Sequence, residues 1–315
     1  MKLVKPSYEI LEQPSGIDGI YKQIEIAGRT CYRSYDKITE DSAKKFVDML
    51  TARGHTAMLE HGTIYLVFEN LRQKIGHLTI HKYMSNPYSK VNIEKNRFKG
   101  FTYYITTNYR VLYENDWLND LKYLCEPTEY HEKRVTVKFT SNIHFYKDIT
   151  RHRLMSYAIE STRYCNYSKG KFDSELTFII PQWVDLEEGR YGTGHDFMGG
   201  SFIHHLDSDI RIFPKTKEGH GVLNFIQGLK NDEYRYLKAI ELEWKPEQAA
   251  ELLPQATKAD IVMTGFVSDW DYIFNLRARG KFTDSKGREY ISIPHPEVLR
   301  LMKPLEKEFY NKGLI

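Results

Sequence analysis

The stretch from residue 151 to residue 164 concentrates the side chains best suited to holding an anion. It opens with the triplet Arg-His-Arg and continues to Ser161 and Arg163. Guanidinium groups bind phosphate oxygens in a bidentate manner, and serine hydroxyls can donate to the oxygens that remain. The simpler interpretation is a solvated basic segment that pairs with Asp148 and Glu160, since such surface pairs are common and contribute little. The coincidence of these features in one window favours a site for an anionic small molecule.

The order of these residues, Arg-His-Arg, seven further residues and then Ser-x-Arg-Tyr, resembles the signature of the flavin-dependent thymidylate synthases. The resemblance implies an enzyme that converts dUMP to dTMP, with 5,10-methylenetetrahydrofolate as carbon donor and NADPH as the reductant that acts through FAD. It also implies a homotetramer whose sites combine several subunits. Because the hard chemistry of such an enzyme belongs to the flavin, the protein orients the reactants and stabilises developing charge.

The same resemblance assigns the nucleotide to the signature and to a late arginine. The residues implied for dUMP are Asp148, Arg151, Ser161, Thr162, Arg163 and Arg277. The candidate catalytic residues are Arg151, Arg153 and Arg277, since cations near the uracil carbonyls favour an enolate-like species. Ser161 is assigned to binding, because no Ser-His-Asp set that would activate a serine nucleophile is evident. The simpler interpretation of Arg277 is a helix-terminal arginine favoured by the helix dipole.

A histidine-containing block at residues 53–61 is implied to contact the flavin through His55 and Glu60. A metal site is disfavoured there, because His55 and His61 do not share a helix face as an i, i+4 pair does. Cys31 falls where the family commonly has a flavin-contacting serine. The full set implied for FAD is Cys31, His55, Glu60, Arg151, His152, Arg153 and His295.

Departures from the family pattern at Ala250, Phe266 and Ser268 leave other functions open. One is a catalytically silent nucleotide- or flavin-binding paralogue, and another is a related flavin-dependent enzyme that modifies C5 of a different pyrimidine. A third is a nucleic-acid-binding protein, suggested by the basic, tyrosine-containing stretch 82–110. The net charge of +3 is too small to favour the third, so nucleic acid is not an expected partner.

Composition indicates a globular protein. Hydrophobic residues make up 41% and charged residues 28% of the chain, a balance typical of folded domains and unlike that of disordered segments. No apolar run approaches the roughly 18–20 residues that a membrane span needs, so no membrane association is expected. Cys31, Cys125 and Cys165 lie far apart without C-x-x-C spacing, which predicts neither a disulfide nor a zinc site. We therefore expect a cytoplasmic protein without a metal.

The elements that must position these residues follow no regular β-α-β rhythm, which predicts an α+β fold with a mixed or antiparallel sheet core flanked by helices. We expect a single domain over 1–315, with inserted segments at about 70–130, 185–220 and 280–293. Periodicity and capping signals predict helices at 16–30, 42–53, 116–124, 142–150, 222–244, 246–253, 268–277 and 296–310. Strands are predicted at 63–68, 101–109, 134–139 and 176–181, and a loop at 185–220. Residues 261–264 fit a strand or a helical turn almost equally well.

Overall fold

The computed structural model describes residues 1–71, 80–96, 100–161, 167, 175–284 and 286–315. Helices and mostly antiparallel strands are mixed in it, so the predicted α+β class is confirmed. Thr162 and Arg163, predicted for dUMP, lie outside the described residues, as does Cys165. The single-domain organisation stays a prediction.

The described strands form four sheets, ordered β11-β10-β9-β1-β8, β2-β6-β12-β7, β3-β5-β4 and β13-β14. The strands are β1 (Lys2–Val4), β2 (Ser7–Leu11), β3 (Thr63–Leu71), β4 (Lys90–Asn96), β5 (Gly100–Asn108), β6 (Arg134–Asn142), β7 (Ser156–Ile159), β8 (Thr177–Ile179), β9 (Gly189–His195), β10 (Ser201–His205), β11 (Ile210–Ile212), β12 (Lys258–Phe266), β13 (Lys281–Thr283) and β14 (Glu289–Ile291). The α-helices are α1 (Gly16–Tyr32), α2 (Ser42–Ala52), α3 (Tyr109–Glu114), α4 (Ile143–Ile149), α5 (Lys217–Glu241), α6 (Pro246–Ala249), α7 (Val267–Phe274) and α8 (Pro296–Asn311).

Strand β12 is the centre of the sheet that positions the signature. All nine of its residues are buried, and it pairs antiparallel with β6 on one side and β7 on the other. Because both edges and both faces are covered, β12 reads as a nearly continuous apolar run, Ile-Val-Met, rather than an alternating one. Strand β7 is thereby held between the Arg-His-Arg triplet and Ser161.

Helices cover this sheet through an aromatic core. Trp270 and Phe274 of α7 and Phe309 of α8 are fully buried against Phe139 of β6. The Trp270 indole Nε1 donates to the Val135 carbonyl at 3.1 Å, which satisfies the one polar atom of that ring. Because of this packing, α7 ends beside the signature, and Arg277, which follows it, lies next to the signature as well.

Two predicted segments differ from the structure. The predicted loop at 185–220 is wrong, because it contains β9, β10 and β11. The tight connection between β9 and β10 is built by Asp196, whose carboxylate accepts from the Gly200 backbone N–H at 2.7 Å. Glycine lowers β propensity, but the burial of Tyr191 in β9 and of Phe202 and Ile203 in β10 supplies the packing that propensity omits. Within the predicted insertion at 70–130, β4 pairs with β5 along its whole length.

Other predictions held to within a few residues. Helices α1, α2, α4 and α8 and strands β3, β5, β6 and β8 occur where periodicity placed them, and residues 261–264 lie in strand β12. The segment 280–293, whose status as an insertion stays a prediction, contains a small β13–β14 hairpin. Among the helices described, none has the length and apolar character that crossing a membrane requires.

Candidate active site

Strand β7 carries predicted site residues at both of its ends. Asp148, Arg151 and His152 precede it in the chain and Ser161 follows it. We call Asp148, Arg151, His152 and Arg277, which meet near its start, the Arg277 cluster. We call Arg33, Glu160, Lys258 and Asp260, which meet near its end, the Glu160 cluster. The two clusters have different burial and different charge balance.

The Arg277 cluster is joined by hydrogen bonds from one guanidinium group. Arg277 Nε donates to His152 Nε2 at 3.2 Å, and its Nη2 donates to the Asp148 carbonyl oxygen at 3.1 Å. Arg277 lies in the wide turn Asn275–Arg279 that follows α7. Tyr157 holds the facing backbone, since its hydroxyl donates to the His152 carbonyl at 2.9 Å. The structure therefore brings Arg277 to Asp148 and His152, which lie 129 and 125 positions earlier in the chain.

These contacts determine the charge of His152. A guanidinium N–H can only donate, so His152 Nε2 must accept and the ring carries its proton on Nδ1. Burial, with the Arg277 charge as a second cause, lowers the pKa of His152 to about 4. The imidazole is therefore neutral near pH 7, and the arginines carry the positive charge of this cluster.

Two signature arginines extend into solvent. The Arg151 side chain is 71% exposed, and its guanidinium lies 3.9 Å from Asp148 Oδ1. Arg153 is also exposed and forms no ion pair among the residues that the structure describes. Exposed guanidinium groups of this kind are available to phosphate oxygens of a ligand.

The Glu160 cluster is buried, and its own basic side chains compensate the charge of its carboxylates. The Glu160 side chain is 1% exposed and the Lys258 side chain 8% exposed, with Lys258 Nζ 2.9 Å from Glu160 Oε2. Lys258 Nζ also lies 2.7 Å from Asp260 Oδ2. Burial acts to raise the pKa of Asp260, but the Lys258 charge and hydrogen bonds from Lys258 and Thr140 together hold it below its ordinary value. The lysine thus stabilises two buried carboxylates.

Backbone hydrogen bonds anchor the chain beside this cluster. The Glu160 N–H donates to the Asp260 carbonyl at 2.8 Å, and the Ser161 N–H donates to the Cys31 carbonyl at 3.0 Å. Cys31 Sγ is 3.7 Å from Met58 Sδ. The structure therefore places Ser161 beside Cys31, and Met58 of the block at residues 53–61 also contacts Cys31. Burial raises the pKa of the Cys31 thiol, so the thiol is protonated near neutral pH.

The other predicted flavin residues occupy two places. His55 is exposed, directly before the short 3-10 turn Thr56–His61. Glu60 is ion-paired, with one carboxylate oxygen 2.5 Å from Arg110 Nη1. His295 lies elsewhere: its ring is 4.0 Å from that of His144, whose Nε2 is 3.8 Å from Asp148 Oδ2. His295 therefore adjoins the Arg277 cluster rather than Cys31.

The chemistry of the exposed donors fits a dinucleotide cofactor. Arg151, Arg153 and His55 are exposed and carry N–H donors, which a diphosphate requires. No group of three or more His, Cys, Asp or Glu side chains within the described ranges is arranged to hold a metal ion. The donor chemistry of these three side chains fits the diphosphate of FAD.

Several buried residues were missed in the sequence. Lys258 pairs with Glu160 across 98 positions, and only the β12–β7 register creates that contact. Arg134 donates to the Glu60 carbonyl at 3.0 Å, and burial lowers its pKa to about 10. His61 Nδ1 lies 2.8 Å from the Thr264 hydroxyl, and burial lowers its pKa to about 3, with the Arg134 charge as a further cause. The one available signal was the position of Glu160 inside the signature.

Comparison with known proteins gives a family match. The model of the family described as "Thymidylate synthase complementing protein" matches residues 126–291, which is more than half of the chain. No curated protein sequence matches significantly. Two solved structures of a UMP/dUMP methylase, PolB from Streptomyces cacaoi, are similar at a TM-score of 0.42 each. The complex with 5-Br dUMP is 14% identical and covers 99% of this chain and 93% of that chain. The complex with 5-Br UMP is 13% identical and covers 98% and 91%.

Proposed function

The chain belongs to the thymidylate synthase complementing protein family, the flavin-dependent thymidylate synthases, and from this premise we propose that it converts dUMP to dTMP. In this proposal 5,10-methylenetetrahydrofolate supplies the carbon, and NADPH supplies electrons through FAD. The observation that carries the proposal is the Arg277 cluster, where a late arginine meets the Arg-His-Arg triplet.

Arg277 is suited to stabilise charge on the pyrimidine. Two of its nitrogens are engaged by His152 and the Asp148 carbonyl, and Nη1 forms no hydrogen bond within the described part of the chain. Held in this way, the guanidinium can present Nη1 to a uracil carbonyl oxygen without further ordering. A preorganised cation at that oxygen stabilises the enolate-like charge that forms when C5 reacts. Because His152 is neutral, the positive charge at this point of the cluster is that of Arg277.

The Ser161 end would hold the nucleotide's anionic part. Hydrogen bonds from the Glu160 and Ser161 backbone N–H groups fix the chain at the start of this segment. Ser161 would donate to phosphate or ribose oxygens, together with Thr162 and Arg163, which the sequence assigns to the same role. Because this segment is already ordered, less conformational entropy is lost when the nucleotide binds.

Arg151, Arg153 and His55 would hold FAD through its diphosphate. FAD, when bound, supplies the redox chemistry that the protein's own side chains lack. We propose a homotetramer, because those donors are exposed on one protomer and a shared site would cover them. Light scattering should then give four times the 37.2 kDa chain mass. We also propose a cytoplasmic location, supported by the free thiols of Cys31 and Cys125.

The decisive experiment is tritium release from dUMP labelled at C5, with FAD, NADPH and 5,10-methylenetetrahydrofolate each omitted in turn. We expect release only with the complete mixture. Arg277→Ala should lower the turnover number by about 10²–10³-fold, the effect of removing one preorganised donor. Folded protein that binds dUMP without release would contradict the proposal and indicate a silent paralogue. Release from labelled UMP but not from dUMP would indicate an enzyme for a different pyrimidine.

A further inference from the structure

A half-open cleft of about 460 Å³ lies beside the Arg277 cluster. Small-molecule pockets commonly span about 300–1,000 Å³, so the cleft is large enough for a ring ligand. The residues that matter for its chemistry are His144, Trp183, Phe225, Leu229, Asp232 and His295. It adjoins the Arg277 cluster because His144 Nε2 is 3.8 Å from Asp148 Oδ2.

Two polar groups of this cleft have unused hydrogen-bonding capacity. His144 Nε2 is buried and has no hydrogen-bond partner among the residues that the structure describes. The Asp232 carboxylate, half-buried on α5, makes no hydrogen bond or ion pair with any residue that the structure describes. Burial raises the pKa of Asp232, and the Arg235 charge only partly opposes this. Unsatisfied polar groups in a cleft are typical of a binding site, because a ligand can satisfy them.

The walls of the cleft favour a flat aromatic ligand. The rings of His144 and His295 lie 4.0 Å apart, and Trp183 meets His295 edge-on at 6.3 Å between centroids. Phe225 and Leu229 of α5 add apolar surface. Aromatic rings and apolar walls of this kind stack on planar heterocycles.

The Asp232 carboxylate then selects the edge of that heterocycle. Its two oxygens accept side by side, so they complement two adjacent N–H donors. A 2-aminopyrimidin-4-one edge presents that pair, as a ring N–H next to an amino group. A uracil edge instead places carbonyl oxygens on both sides of its N–H, and one of them would face a carboxylate oxygen. The cleft is therefore complementary to a different ring from that of the nucleotide substrate.

We propose that this cleft binds a heterocycle with a 2-aminopyrimidin-4-one edge through Asp232, with its ring against Phe225 and His295. Both pterins and guanine nucleotides carry that edge. The pterin source rests on the proposed function, in which a folate donates the carbon.

The test compares ligands that differ only at the recognised edge, by calorimetry without FAD, NADPH or dUMP. Pterin is compared with lumazine, in which an oxo group replaces the 2-amino group, and GMP with XMP, which differ in the same way. Wild-type protein should bind the 2-amino member of a pair at least roughly tenfold more tightly, since the oxo group faces a second acceptor. Preference within the first pair identifies a pterin source, and preference confined to the second identifies guanine.

Asp232→Asn should reverse the preference, because the amide offers one acceptor and one donor and so matches the 2-oxo edge. Glu241→Gln, an exposed position on the same helix, is the matched control and should bind as wild type does. Equal binding within both pairs, or an unchanged preference in Asp232→Asn, overturns the proposal. Since turnover is not measured, a reversed preference without tritium release retains the cleft and rejects the synthase. Tritium release without any preference retains the synthase and rejects the cleft.

Discussion

The two ends of strand β7 use similar charged residues in opposite ways. At the Glu160 end, Lys258 is buried between two carboxylates. At the Arg277 end, the largely exposed Arg151 lies 3.9 Å from the Asp148 carboxylate, whereas Arg277 contacts Asp148 only at its backbone carbonyl. The first cluster is complete without a ligand, whereas the second has positive charge available for an anion.

Solvation explains the difference. Removing an ion from water costs several kcal/mol unless a partner of opposite charge compensates, so the buried Glu160 cluster must be internally paired. Exposed arginines keep their hydration and can remain without a close partner until a ligand arrives. The comparison indicates that the Glu160 cluster holds the chain in place and that the Arg277 cluster is suited to bind an anion.

The largest expected effect comes from Lys258→Met, which would leave Glu160 and Asp260 buried without their cation. We expect a loss of about 3–5 kcal/mol in the free energy of unfolding, measured by urea denaturation near pH 7. The control is Lys238→Met, since Lys238 forms an exposed pair with Glu241 on one helix, and its loss should be much smaller than that of Lys258→Met. Equal losses in both variants would show that burial does not set the strength of these ion pairs.

An intermediate effect is expected on the titration of His152. NMR should place its pKa near the lowered value of about 4, and Arg277→Ala should raise that pKa because a neighbouring positive charge is removed. The sign for stability follows from linkage: the unfolded chain binds the proton below about pH 6.5 while the folded chain does not. The contribution of His152 is thus present above that pH and is lost as the pH falls towards 4.

An unchanged His152 pKa in Arg277→Ala would contradict the electrostatic coupling of the two side chains. Arg277→Lys is the matched control, because it keeps the positive charge while changing the hydrogen-bond geometry. In that variant the pKa should stay low.

The smallest expected effect on stability is that of Arg151→Ala. Its side chain is 71% exposed and 3.9 Å from Asp148, so we expect a change of less than about 0.5 kcal/mol in the free energy of unfolding. Retention of FAD and dUMP, measured separately by equilibrium dialysis, should nevertheless weaken. A stability loss comparable with that of Lys258→Met would mean that the open end is also structural.

Local patterns predicted much of the scaffold. Helices α1 and α2 and strand β6 form from 3.6-residue or two-residue periodicity, which neighbouring residues encode. The β9–β11 strands were missed because their segment is rich in Gly, which has low β propensity, and their stability comes from packing. Similarly, the wide turn Asn275–Arg279 extends past the predicted end of its helix, and it sets where Arg277 points.

The sequence by itself determined which cations, hydroxyls and carboxylates this protein has near its signature, and which family it resembles. Only the tertiary structure decided which of them are paired, because pairing depends on burial and strand register over long separations. Lys258 reaches Glu160 across 98 positions, and Arg277 reaches His152 across 125. No local sequence pattern predicts either contact, because both form only once β12 and α7 have packed beside β7.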